Sequence, residues 1–103
     1  MTLKDLADRF DAAGITYKYG LMSKGTRPPY VYAIVSDSNN FIADNIVYKK
    51  IDSIELHYIF INKNVELEGI IENTILGDIA WRKGDETYYV DEENWEVIYY
   101  FNI

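Results

Sequence analysis

Residues 95–103, WEVIYYFNI, place Trp95, Val97, Tyr99, Phe101 and Ile103 at every second position, against Glu96, Ile98, Tyr100 and Asn102. Successive side chains of a strand point to opposite faces, so this spacing writes a strand with one apolar face. Such a strand needs a sheet around it and a layer packed on it, and a chain end of this quality is held rather than frayed. The rest of the chain has to supply that sheet and that layer.

Two segments read as helices. Thr2-Leu3-Lys4-Asp5 has the hydroxyl-x-x-acid form of a capping box, and Leu3, Leu6, Ala7 and Phe10 follow on one helical face before Gly14 ends the run. Asn62 or Asn64 starts a second helix, with Leu67, Ile70, Ile71 and Ile75 as its apolar stripe and Gly77 at its close. The strands fall around them. Residues 15–19 alternate, Tyr30 to Val35 is nearly all apolar, and Ile46 to Ile61 reads as one long strand. In that strand Tyr48, Ile54, Leu56, Tyr58 and Phe60 point one way and Lys49, Ser53, Glu55 and His57 the other. Its length predicts a bulge or bend near Lys50-Ile51-Asp52. Residues 79–81 and Thr87 to Val90 are short strands or connectors on either side of the charged loop Arg82–Glu86.

Strands in runs, without long βαβ alternation, predict an α+β domain: a mainly antiparallel sheet with both helices packed on one face. At 103 residues the chain is expected to be a single domain, residues 1–103. With 49% hydrophobic and 16% aromatic residues it has the material for a core.

The chemistry-bearing residue types are sparse. There is no cysteine, which removes disulfides and thiolate metal sites and fits a reducing compartment. The N-terminus has no apolar run of signal-peptide length, no stretch is long enough to span a membrane, and the chain is expected to be cytosolic where it is made. His57, the only histidine, lies mid-strand without a serine motif, a Gly-rich phosphate loop or metal spacing to serve, and reads as a partly solvated strand residue. Asp91-Glu92-Glu93 lacks the alternating oxygens and Gly turn of a cation site and reads as a solvated turn. No enzyme activity, cofactor or metal is expected.

Charge narrows the partners. Residues 1–50 hold 7 Lys/Arg and 5 Asp/Glu, residues 51–103 hold 3 and 12, and the net charge is −7. An acidic surface disfavours sequence-specific duplex binding but permits a pore through which DNA slides. The ten tyrosines lack the basic groove that single-stranded nucleic acid requires, and favour protein interfaces instead.

The run RPPYVYAIVSDSNNFIADNIVYKKIDSIELHYIF, followed by a Glu-rich helix and IAWRKGDETYYVDEENWEVIYYFNI, resembles the small tail-terminator or tail-completion proteins of long-tailed phages and prophages of Gram-positive bacteria. The likeness runs from about Gly14 to Ile103 and rests on a Pro-Tyr strand, an Asn-Phe-x-Ala-Asp loop, a Tyr-Lys strand and a closing Tyr/Phe-rich strand in that order. It implies a virion structural protein, not an enzyme: a tail-terminator-like α+β subunit, made in the host cytoplasm, that joins others in a ring, commonly a hexamer. The ring sits at the head-proximal end of the tail tube and meets the head–tail connector, with DNA passing through its lumen. A ring requires one patch of each subunit to meet a different patch of the next, and a basic and an acidic half suit that. The interface expected on these grounds comprises Tyr30, Asn40, Phe41, Asp44, Tyr48, Lys49 and Lys50, with residues 38–46 as a docking arm or, alternatively, Phe41 and Ile42 as a cap on the sheet edge. The competing expectation is an acidic inhibitor that mimics DNA charge.

Overall fold

The computed structural model describes residues 1–38, 41–43, 46–49 and 51–103. Its elements are α1 (Leu3–Ala13), β1 (Tyr17–Tyr19), β2 (Tyr30–Ser38), β3 (Phe41–Ala43), β4 (Ile46–Lys49), β5 (Asp52–Phe60), α2 (Val65–Ile70) running into a π-helical turn (Ile71–Ile75), β6 (Trp81–Lys83), β7 (Thr87–Tyr89) and β8 (Asn94–Asn102). The protein is α+β. β1, β2, β5, β8 and β6 lie side by side in that order, β7 also pairs with β8, and every pairing is antiparallel except β1 with β2.

α1 begins as its sequence dictates. The Asp5 amide donates to Thr2 Oγ1 at 3.1 Å, the Thr2 amide donates to Asp5 Oδ2 at 2.9 Å, and Gly14 closes the helix at φ 71°. Its buried residues, Leu6 and Phe10, join Ile71, Ile75 and Leu76 of the second helical segment over Val31, Ala33, Ile54, Leu56, Tyr58, Phe60, Val97, Tyr99 and Phe101. These strand residues alternate along β2, β5 and β8, so both helical segments cover one face of the sheet. Arg9 clamps α1 to the far end of that layer, donating to the Ile75 carbonyl at 2.8 Å and to both Asp78 carboxylate oxygens at 2.7 and 2.9 Å.

Four expectations change. Arg82 and Lys83, expected in a charged loop, continue from Trp81 as β6, in register with Tyr100 and Tyr99 of β8, and residues 79–80 are not strand. The long strand from Ile46 to Ile61 is two strands. β5 lies in the main sheet, whereas β4 pairs with β3 in a separate two-stranded ribbon inserted between β2 and β5. The break falls at the expected bend, because the two parts have different partners. The second helix, capped by the Asn64 side chain on the Leu67 amide at 3.0 Å, widens into the π turn, where the Leu76 amide donates to the Ile71 carbonyl at 2.9 Å. The extra residue rotates the stripe: Ile70 is exposed and Glu68 and Leu76 are buried. Trp95 lies at the rim of the covered face, 36% exposed against Tyr88, because the layer ends before it reaches that end of β8.

The radius of gyration, 14.8 Å, exceeds the roughly 13 Å of a compact domain of this length, and the extents are 50 × 28 × 23 Å. Among the described residues no helix is long and apolar enough to cross a membrane.

Candidate functional site

Among the described residues no second layer covers the sheet face away from the helices, and its side chains close over one another instead. Tyr32 of β2 stands opposite His57 of β5, and their rings stack at 4.5 Å and 7°. His57 Nδ1 meets Glu96 Oε2 of β8 at 3.0 Å, and Nε2 meets Glu55 Oε1 at 3.1 Å. Glu96 also accepts from the Tyr89 hydroxyl at 3.2 Å and the Tyr32 hydroxyl at 3.5 Å. His57 is thereby 8% exposed, so the expectation of a partly solvated strand residue is corrected: the Tyr32 ring is its lid.

The electrostatics follow from these contacts. Burial on its own lowers the His57 pKa, but the hydrogen bonds and charges of Glu96 and then Glu55 outweigh it and the net displacement is upward. Glu96 is displaced downward, first by its bond to His57. Burial, with the Glu96 charge, pushes the Tyr32 phenol up to about 12. With both ring nitrogens held by carboxylates, the imidazole offers no free lone pair to a substrate proton, and its geometry suits an enclosed cation that fixes the register of β5 against β8. Among the described residues no group of three or more His, Cys, Asp or Glu side chains is arranged to hold a metal ion.

Beside this cluster opens a shallow cavity of ≈ 230 Å³, lined by Tyr30, Tyr32, Ile59, Tyr89, Glu92, Asn94 and Glu96. Its walls are aromatic rings and carboxylates. Farther along the same face the Arg82 guanidinium lies 4.2 Å over the Tyr100 ring.

A second polar cluster lies between α2 and β6. Glu68, 4% exposed, meets Lys83 at 2.6 Å and Lys63 at 2.9 Å; Lys83 reaches Glu72 at 2.9 Å, and Glu72 accepts from the Tyr99 hydroxyl at 2.7 Å. Lys63 also pairs with Glu86. Burial raises the pKa values of Glu68 and Glu72, but their lysine bonds win and both lie below the ordinary range. This network fastens helix to sheet.

Of the expected interface residues, Tyr30 lines the cavity. Phe41, Tyr48 and Lys49 belong to the β3–β4 ribbon, with Phe41 in register with Lys49, and Asn40, Asp44 and Lys50 lie outside the described residues. Asp91, Glu92 and Glu93 form an exposed turn as expected. Sequence reading missed Tyr32, Tyr89 and Glu96 as one cluster. The alternation of β2 and β8 put Tyr32 and Glu96 off the core face, but only strand order brings them together. No protein-family model matches the chain, and no curated protein matches it in sequence.

Proposed function

We propose that the chain is a ring-forming structural subunit of the tail-terminator kind, working through surfaces against itself, a tail tube and a head–tail connector, with DNA crossing the lumen unbound. The observation that carries this reading is the polarity of the sheet. One edge, β1 and the start of the following loop, presents exposed Lys18 and Lys24; the other, around β6 and β7, presents exposed Asp85, Glu86, Asp91, Glu92 and Glu93 beside Arg82, which lies over the Tyr100 ring. Edges of opposite sign favour head-to-tail contact between copies and repel like against like, the symmetry a closed ring requires. The uncovered aromatic face and the separate β3–β4 ribbon add surfaces for the axial partners. The DNA-mimic alternative is weakened because Glu55, Glu68, Glu72 and Glu96 are turned onto the chain's own His57 and lysines, where they cannot array toward solvent.

Negative-stain microscopy and light scattering, with the protein alone and with assembled tail tubes, test the reading. Closed rings, or a cap at one tube end that stops growth, are expected. A monomer under both conditions, with tubes of unaltered length, would refute it.

A further inference from the structure

The open-face cavity has the composition of a cation site. Three phenol rings, Tyr30, Tyr32 and Tyr89, share its wall with the Glu92 and Glu96 carboxylates, and no Lys or Arg lines it. Aromatic faces attract cations, and a planar guanidinium, which stacks and bonds at once, suits such a wall better than a compact, strongly hydrated ammonium. The same face already holds one such pair in Arg82 over Tyr100. Burial with the charges of Glu96 and Glu92 raises the Tyr30 phenol, which places both carboxylates within electrostatic reach of that ring. Glu92 makes no ion pair among the described residues.

The chain has three arginines. Arg9 is held by Asp78 and Arg82 by Tyr100, so only Arg27 is without an ion pair or ring partner among the described residues. It lies in the exposed loop before β2 and lines the cleft beside Tyr58, Phe60 and Ile61, on the helix-covered side of the sheet. The cavity is on the opposite side. A copy therefore cannot close its own cavity with a neighbour's Arg27 and present its own Arg27 to the same neighbour without a second, distinct contact; the pairing is head-to-tail. Exposed apolar side chains flank both halves, Ile61 beside Arg27 and Val90 next to Tyr89.

We propose that the cavity is a guanidinium site whose occupant is Arg27 of the next copy of this chain, an assignment that rests on the ring-subunit reading. The neighbour's guanidinium stacks among Tyr30, Tyr32 and Tyr89 and pairs with Glu92 and the remaining acceptor capacity of Glu96, while Ile61 of the donor meets the apolar rim.

Arg27→Glu removes the donor and Glu92→Arg blocks the acceptor; both positions are exposed, and circular dichroism melts matching the parent confirm folding. If the parent assembles, each variant alone is expected to remain monomeric. An equimolar mixture yields dimers and nothing larger, since one intact donor and one intact cavity remain. Arg27→Gln is expected to weaken association about tenfold or more. Assembly of Arg27→Glu at the parent's concentration would overturn the assignment while leaving the ring reading intact. If the parent is monomeric throughout, a peptide of residues 21–30 decides. Shifts of the Tyr30, Tyr32 and Tyr89 ring resonances that vanish when citrulline replaces the arginine support the site without the ring. No shift, or the same shift with citrulline, overturns it.

Discussion

Glu96→Gln isolates the contribution of the enclosed histidine. The Glu96 side chain is 13% exposed and accepts from His57, Tyr89 and Tyr32 at once, so the substitution keeps the shape and removes the charge that faces the imidazolium. A hydrogen bond to a charged group contributes about 1.5–3 kcal/mol, and Glu55 remains to hold the other ring nitrogen, so a loss of about 2 kcal/mol is expected while His57 is protonated. For a domain of this size that lowers Tm by roughly 8–16 °C. The pH dependence gives the sharper test. A histidine whose folded pKa lies above its ordinary value, 6.5, adds stability that is fully present below 6.5 and fades as pH rises through the folded value. Well above the folded value the neutral ring presents one N–H and one lone pair; Glu55 accepts from the N–H and the amide of Glu96→Gln donates to the lone pair, so the loss falls to about 1 kcal/mol or less. Urea unfolding followed by Trp81 and Trp95 fluorescence at pH 5.5 and pH 9 measures both values. Equal losses at the two pH values, or a loss below about 0.5 kcal/mol at pH 5.5, would show that His57 is not held as a cation between the two carboxylates.

A Cβ at Gly77 would stand 2.1 Å from the Asn73 carbonyl oxygen, so Gly77→Ala forces the end of the π turn apart and is expected to cost about 1–3 kcal/mol. Gly69→Ala, in α2 with open space and Asn73 no nearer than 3.9 Å, is expected to gain about 0.5–1 kcal/mol in the same urea melts. Lys83→Met leaves the buried Glu68 carboxylate with Lys63 alone; with Lys83 31% exposed, a loss of about 2 kcal/mol is expected near pH 7. Because Glu68 and Glu72 titrate below their ordinary value of 4.5, that difference between parent and variant is present above pH 4.5, shrinks as pH falls through the folded values, and is read from acid unfolding curves.

What the sequence showed depended on how local the cause was. α1 was legible to the residue because Thr2, Asp5 and Gly14 act within one turn of the atoms they satisfy. β8 was legible because alternation is a property of the strand itself. The π turn was not: apolar spacing at Ile70, Ile71 and Ile75 is the same whether a carbonyl bonds four or five residues ahead, and the choice is made by which side chains reach the core. The break after β4 was located but not its meaning, since pairing of β4 with β3 is decided by partners and not by propensity. The open-face cluster was least legible. His57 and Glu96 are 39 residues apart, and their contact exists only at the register that sets His57 opposite Ile98. A slip of one residue would turn every side chain of β8 to the other face.

That dependence on register bears on how the surfaces work. The clamp of Glu55, His57 and Glu96 ties β5 to β8, and Tyr32 adds β2, so the three central strands are fixed with the cavity wall built on them. Tyr32 and Glu96 belong to both. A cavity in which Tyr32 and Tyr89 are already ordered by their bonds to Glu96 loses less rotamer freedom when a guanidinium enters, which lowers the entropic cost of docking. Protonation of His57 then has two opposed effects: it stiffens the wall and it offsets part of the Glu96 charge that draws the cation in. Since the stiffening acts through bonds at 3.0 and 3.1 Å and the offset acts on a carboxylate with Glu92 beside it, association between copies is expected to weaken only modestly as pH falls through the folded His57 value to 6.5, while the fold itself gains. A contact that strengthened on acidification would place the cation elsewhere.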